Sequence, residues 1–199
     1  MNGTAMNTQA VLLTALLLQA GILRAAAPDA AKPIIDNEHA TVWDTSTPRS
    51  FSNEYVAIDL TKGAAELGKK GSTPKSLAGS KPDRTIVIEL KEHAPSAMAN
   101  KSGLPNAFPR PGSKKLFETS RVIVWDYTWI TGEATPMHFH DKAVVVTYLK
   151  DGTLKSTTPS GEATMNTYSF GTVKYNLPDR THTETLVTGS QRAIITEFK

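Results

Sequence analysis

Two histidines separated by one residue are the part of the sequence best suited to chemistry. His138 and His140 lie in the segment 132–152, GEATPMHFHDKAVVVTYLKDG. Residues two apart on a strand face the same side, so both imidazoles would point the same way. Two neutral imidazoles placed together are good ligands for a divalent first-row metal ion. The pattern therefore predicts part of a metal site whose other ligands lie elsewhere in the chain.

His182 is the candidate third ligand. It follows Gly171 and Pro178, which mark a turn-rich approach to a late strand. Glu184 lies two residues further on, so it shares a strand face with His182 and is either a fourth ligand or a group that orients the imidazole. The chain contains no cysteine. Any metal must therefore be held by His, Asp, Glu or backbone oxygens.

Aromatic and basic residues near the histidines are candidates for substrate binding. Trp125, Tyr127 and Trp129 share strand parity in VIVWDYTW, residues 122–129, and could line a pocket, with Tyr127 and Trp129 as the candidate binding residues. The alternatives are packing in a core or an exposed aromatic face. Lys142 follows His140 and Asp141 directly and could meet an anionic substrate, unless it is simply solvated. No motif identifies a catalytic acid, base or nucleophile, so the catalytic residues are unknown at this stage.

Short strands must position these groups. Runs rich in β-branched and aromatic residues alternate with turn residues, and no sustained helical stripe follows the first thirty residues. The runs are VAIDL (56–60), TIVIEL (85–90), VIVWDYTW (122–129), AVVVTYL (143–149) and AIITEF (193–198). This pattern predicts an all-β sandwich or barrel.

An internal repeat divides the chain. Val42-Trp43-Asp44 recurs as Val124-Trp125-Asp126, YVAIDLTKG (55–63) resembles VVVTYLKDG (144–152), and RTIVIELK (84–91) matches RAIITEFK (192–199). Three matches in one order suggest two copies of a β unit, at 34–91 and 116–199. The proline-rich stretch 92–118 connects them. The first copy lacks the histidine segment, so we expect it to be a shortened structural half without metal.

The first thirty residues have the pattern of a targeting segment. Val11 to Leu23 form an apolar run of thirteen residues, followed by several alanines. This length suits a signal peptide and is short for a membrane span. An uncleaved N-terminal helix is the alternative. We expect residues 1–30 to be a signal peptide, the protein to be periplasmic or secreted, and no membrane association after processing.

The histidine motifs resemble those of a known family. Gly132, five intervening residues, His138-Phe139-His140 and Gly152 resemble cupin motif one, while Gly171, Pro178 and His182 resemble motif two. FPRPGSKK and VIVWDYTW are similar to segments of an uncharacterised group of bacterial cupin-domain proteins. The resemblance implies a double-stranded β-helix, or jelly-roll barrel. Because it covers both copies, it implies a bicupin with a degenerate N-terminal half.

The sequence departs from motif one at the usual metal-binding glutamate. Val144 and Val145 occupy the expected positions. Glu184 or Asp141 would have to replace that carboxylate; otherwise three histidines form the site. The resemblance implies one divalent metal ion, which would be Fe, Mn, Zn, Ni or Cu.

Two classes of function follow. The first is a metal-dependent oxygenase, isomerase or lyase acting on a small molecule. The second is a non-catalytic small-ligand-binding cupin with no bound metal. The net charge is +3, from 22 basic and 19 acidic residues, which is too small to indicate nucleic-acid binding. We expect a small-molecule ligand, no nucleic acid, and allow for a homodimer.

Overall fold

The computed structural model describes Met1, residues 32–93 and residues 95–199. The predicted signal peptide, apart from Met1, lies outside these residues, and its removal stays a prediction. All features below belong to the unit 31–199. No helix within the described residues is long and apolar enough to cross a bilayer.

The described part of the chain is built from β-strands and one short 3₁₀ turn at Lys75–Leu77. The strands are β1 (Ile35–Asp36), β2 (Ala40–Thr45), β3 (Tyr55–Asp59), β4 (Ala64–Gly68), β5 (Thr85–Leu90), β6 (Ser113–Glu118), β7 (Val122–Thr128), β8 (His138–His140), β9 (Val144–Tyr148), β10 (Gly152–Thr157), β11 (Ala163–Tyr168), β12 (Val173–Asn176), β13 (Arg180–Gly189) and β14 (Arg192–Phe198).

The eight strands β7 to β14 pair in a nested order. The first pairs with the last, the second with the seventh, the third with the sixth and the fourth with the fifth, all antiparallel. This is the order of a jelly roll, in which two sheets enclose one interior. One sheet has the order β12-β9-β14-β7-β6 and the other β11-β10-β13-β8. The predicted all-β class and double-stranded β-helix architecture are confirmed.

The sheet that contains β9 is buried on both faces. Val144 and Val146 face the barrel interior, whereas Val145 packs on the opposite side. A strand with two buried faces needs apolar residues at consecutive positions instead of alternating ones. This explains the uninterrupted run of valines that follows the two histidines.

The N-terminal half forms one five-stranded sheet, in the order β1-β2-β5-β3-β4. Val42, Ile58 and Ile88 on this sheet share a core with Val145 and Ile194 on the outer face of the barrel. The described residues of this half form a covering layer instead of a second barrel. Within residues 32–93 this half has no counterpart of the sheet β11-β10-β13-β8, which carries the three histidines in the C-terminal half.

The two halves share a strand order and two side-chain pairs. β2-β5-β3 and β7-β14-β9 are equivalent in sequence order and pairing. In each half a tryptophan indole donates to a glutamate at 2.7 Å, and an arginine binds an aspartate through two nitrogens. The pairs are Trp43–Glu89 and Asp44–Arg84 in the N-terminal sheet, and Trp125–Glu197 and Asp126–Arg192 in the barrel. The bicupin assignment and the domain boundaries stay predictions.

The connection between the halves enters the barrel. Phe139 donates to the Pro105 carbonyl at 2.9 Å and accepts from the Ala107 amide at 2.8 Å, so the connection runs beside β8. Ala107 and Phe108 are buried in the interior. This anchorage carries Arg110, two residues later, to the histidines.

Candidate metal centre

The structure brings His138, His140 and His182 together inside the barrel. β8 and β13 are neighbours, and their register places His182 opposite His138. The Nε2 atom of His140 lies 3.2 Å from the Nε2 atoms of both His138 and His182. His138 and His140 are buried, and the His182 side chain is 13% exposed. As strand parity predicts, the side chains of His138 and His140 lie on the same side of β8.

The three imidazoles have the spacing that one metal ion needs. Nitrogens bound to one ion at ~2.0–2.2 Å would lie roughly 2.8–3.6 Å apart, for ligand angles between octahedral and tetrahedral. The observed separations from His140 fall in this range, and candidate ligand atoms on all three residues lie within 4.8 Å of one another. His138 Nδ1 donates to the Pro136 carbonyl at 2.7 Å. That bond fixes the tautomer whose Nε2 lone pair is available inside the cluster.

The histidines are held in the neutral form that binds metals. Burial, followed by the charge of Arg110, lowers the pKa of His138 to about 4. Burial, followed by the charge of Arg180, also holds the pKa of His140 well below its usual range. Burial lowers the pKa of His182 as well. At neutral pH an incoming ion therefore does not have to displace the second proton of an imidazolium.

Glu184 lies beside the three histidines. Its Oε1 atom is 3.9 Å from His182 Nε2, while Oε2 accepts a hydrogen bond from Trp129 Nε1 at 3.1 Å and lies 3.4 Å from Arg110 Nη2. Burial opposes its charged form, but the charge of Arg110 and the hydrogen bond from Trp129 favour that form, and the pKa of Glu184 is lowered. The carboxylate is therefore ionised at neutral pH. Its part as a fourth ligand stays a prediction.

Arg110 is the principal residue that sequence reasoning missed. Its Nη1 atom lies 2.8 Å from His138 Nε2, and its guanidinium lies 4.1 Å from the centre of the Tyr127 ring. The side chain is only 6% exposed. The sole signal was an arginine within the apolar segment FPRPG. Nothing in the sequence spacing indicates that a residue 28 positions before His138 returns to contact it.

A cavity of about 210 Å³, open to solvent, is lined by two of the three histidines, His140 and His182. One wall is apolar and includes Val144, at a position where motif one usually has its glutamate. Tyr148 and Tyr168 stack on another wall with ring centres 4.0 Å apart. Polar residues on the wall are Ser156, Asn166, Asn176 and Arg180. The cavity surface is therefore mainly polar, with an apolar wall on one side, and its convergent polar groups suit a small molecule.

The predicted substrate residues differ in their placement. Trp129 lines the cavity. Tyr127 is buried and packs edge-on against Trp129, with ring centres 4.5 Å apart. Lys142 donates to Asp141 at 2.5 Å, and Asn106 donates to the same carboxylate oxygen at 3.2 Å. Neither Lys142 nor Asp141 is among the described residues of the cavity wall.

No protein-family model matches the chain. No curated protein matches it either.

Solved structures that resemble the chain include cupin proteins. A cupin domain from Bordetella pertussis is 22% identical, with 46% of this chain and 97% of that chain covered and a TM-score of 0.40. A cupin 2 conserved barrel protein from Leptotrichia buccalis is 12% identical, with 84% and 88% covered and a TM-score of 0.43. The polyketide cyclase RemF from Streptomyces resistomycificus is 15% identical, with 50% and 77% covered and a TM-score of 0.36. The nested pairing of β7 to β14 is itself a jelly roll, an architecture that cupins share, so the fold that the sequence resemblance implies is confirmed.

Proposed function

We propose that the protein binds one divalent metal ion through His138, His140 and His182 and uses it to act on a small molecule in the adjoining cavity. The observation that carries this proposal is the 3.2 Å spacing of His140 Nε2 from both other Nε2 atoms. Three neutral imidazoles whose Nε2 atoms are packed this closely favour a cation between them.

Each protein group has a definite part in this proposal. The three histidines hold the ion, and the Pro136 carbonyl keeps His138 in the tautomer that presents Nε2. A bound divalent ion would supply Lewis-acid chemistry to an oxygen of the ligand. Trp129 and Arg110 hold the Glu184 carboxylate beside His182. Since that carboxylate is ionised, it can accept a proton from the ligand, as an isomerase or lyase requires.

A second candidate function is a non-catalytic binding module without metal. The observation that favours it is the pair of contacts made by Arg110. Its Nη1 atom lies 2.8 Å from His138 Nε2, and its Nη2 atom lies 3.4 Å from Glu184. This arrangement satisfies the histidine and the carboxylate with a guanidinium instead of an ion.

Metal analysis of the purified protein, followed by titration with Zn²⁺ or Co²⁺, distinguishes the two. We expect about one equivalent per chain, and a loss of at least ~100-fold in affinity on replacing any one of the three histidines with alanine. His39→Ala is the matched control, because His39 Nδ1 contacts the His93 carbonyl in the N-terminal half. Wild-type protein that binds neither ion, or a control that loses as much affinity, would favour the module without metal.

Thermal unfolding of the metal-free proteins separates loss of ligation from loss of fold. The barrel core is made by apolar residues of the strands, so each variant should still unfold cooperatively. Metal should raise the unfolding temperature of wild-type protein and leave that of the His140→Ala variant unchanged.

A further inference from the structure

Arg180 is a half-buried arginine without a carboxylate partner among the described residues. It begins β13, and its Nε atom donates to the Leu177 carbonyl at 2.8 Å. Its Nη2 atom is buried and has no hydrogen-bond partner among the described residues. Burial of an unpaired cation is costly. The fold therefore keeps a guanidinium in an unfavourable state at this position.

The other half-buried arginines in the described chain have partners. Arg110, Arg121 and Arg192 each form an ion pair with an aspartate or glutamate, and Arg49 lies over the Trp43 ring. No such ion pair joins Arg180 to any described residue. Burial lowers the pKa of the Arg180 guanidinium, which agrees with a cation that lacks a counter-ion, although the guanidinium stays charged at any physiological pH.

Arg180 belongs to the wall of the cavity that contains the histidines. It lies opposite His140 in the strand register and two residues before His182. Arg180, His182 and Glu184 therefore share one face of β13, and all three line the cavity. The cavity wall thus carries two arginines, Arg110 and Arg180, and one carboxylate, Glu184. Its excess of positive charge favours an anionic ligand.

We propose that Arg180 binds the carboxylate of a small organic acid, whose other end extends toward His140 and His182. A planar guanidinium pairs with a carboxylate through parallel hydrogen bonds, and one unpaired guanidinium matches the charge of one carboxylate. The stacked rings of Tyr148 and Tyr168 and the apolar side chain of Val146 provide a surface for a planar carbon skeleton. This inference rests on the proposed function for the place of the ligand and does not need the metal.

Calorimetric titration with benzoate and with benzamide tests the proposal. The two probes have the same ring, and only benzoate carries the charge. For the full chain, prepared both with Zn²⁺ and without metal, we expect benzoate to bind at least ~10-fold more tightly than benzamide. Arg180→Met should abolish that preference, while Arg180→Lys should retain part of it, because lysine keeps the charge and loses the planar fork.

Arg49→Met is the matched control. Arg49 lies over the Trp43 ring in the N-terminal half, so its removal should leave the preference for benzoate unchanged. Equal binding of benzoate and benzamide to wild-type protein would overturn the proposal. An unchanged preference for benzoate in a folded Arg180→Met variant would also overturn it. If the methionine variant does not fold, an unchanged preference in both Arg180→Lys and Arg180→Gln would overturn it instead.

The metal-free arm keeps this inference separate from the proposed function. If the protein binds no metal but still prefers benzoate through Arg180, the metal proposal is wrong and the carboxylate subsite stands. If the protein binds metal at the histidines but does not distinguish the probes, the carboxylate subsite is wrong and the metal proposal stands.

Discussion

Arg110 and His138 share a hydrogen bond at the atom that a metal ion would use. Arg110 Nη1 lies 2.8 Å from His138 Nε2, and the lone pair of that nitrogen cannot serve a guanidinium and a metal ion together. Arg110 comes from the proline-rich connection, whereas His138 lies on β8. The connection between the two halves is therefore part of the site.

Replacing Arg110 should increase metal affinity. Arg110→Met removes both a competing hydrogen bond and a positive charge, and it also frees Glu184 from its ion pair. We expect Zn²⁺ to bind about 10-fold more tightly, since loss of one such interaction corresponds to about 1.4 kcal/mol. Competition with a chelating indicator dye would measure the change. Affinity that stays the same or falls would show that the contact with His138 does not oppose metal binding.

Replacing Glu184 with glutamine should weaken metal binding less than loss of a histidine does. The glutamine oxygen still accepts from Trp129, but the negative charge beside His182 is lost. We expect the affinity for Zn²⁺ to fall by about 10-fold, as is typical when a group that orients a metal-binding histidine is lost. Trp129→Phe is the comparison variant, because it removes the hydrogen bond and keeps the charge. A loss as large as that of His182→Ala would identify Glu184 as a fourth ligand.

Replacing Glu197 with glutamine should stabilise the protein at neutral pH. Burial raises the pKa of Glu197 above its usual value, against the effect of its bond from Trp125. Because its pKa is raised in the folded state, the Glu197 carboxyl group contributes most to the free energy of unfolding at low pH. That contribution is lost as pH rises through the folded pKa. Urea unfolding should therefore show Glu197→Gln more stable than wild type at pH 7 and not at pH 4.

The pKa of Glu118 is shifted in the opposite direction to that of Glu197, so Glu118 serves as the control for this pH dependence. Lys115 and Lys199 lower its pKa to about 2, so any contribution is present at neutral pH and is lost as pH falls below the usual range of a glutamate. Its carboxylate is on the surface, where salt screens the effect. If Glu197→Gln and Glu118→Gln showed the same pH dependence, the burial argument for Glu197 would be wrong.

The N-terminal sheet should stabilise the barrel. Ile58 is fully buried in the core shared by the two halves, so Ile58→Ala should lower the free energy of unfolding by about 2–4 kcal/mol. Ile130 is 53% exposed, and Ile130→Ala should change it by less than ~0.5 kcal/mol. Both variants should unfold in one transition by circular dichroism. Two separate transitions in wild-type protein would contradict a shared core.

Local pattern predicts the strands and the pair of histidines because both depend on short spacings. His138 and His140 lie together through strand parity alone, and His182 was found through the turn residues before it. The same parity, applied from His182 back to Arg180, would have placed that arginine in the cavity. Arg110 could not be found in this way, because its position depends on where the connection packs.

Strand parity correctly predicts that the three aromatic side chains of β7 and its end face one side of the sheet. It does not predict which of them reach the cavity. Trp125, Tyr127 and Trp129 all belong to the barrel interior. Trp129 alone of the three lines the cavity, because Phe108 stacks on Trp125 at 5.4 Å and packs against Tyr127 at 5.8 Å. The segment that covers them comes from another part of the chain, and strand periodicity contains no information about it.

A Co²⁺-soaked crystal of the purified protein, measured at the cobalt absorption edge, tests the central claim most directly. The account predicts one anomalous peak at ~2.0–2.2 Å from the Nε2 atoms of His138, His140 and His182, with Arg110 moved away from His138. No peak at this position in fully soaked crystals, with Arg110 still bonded to His138, would contradict it.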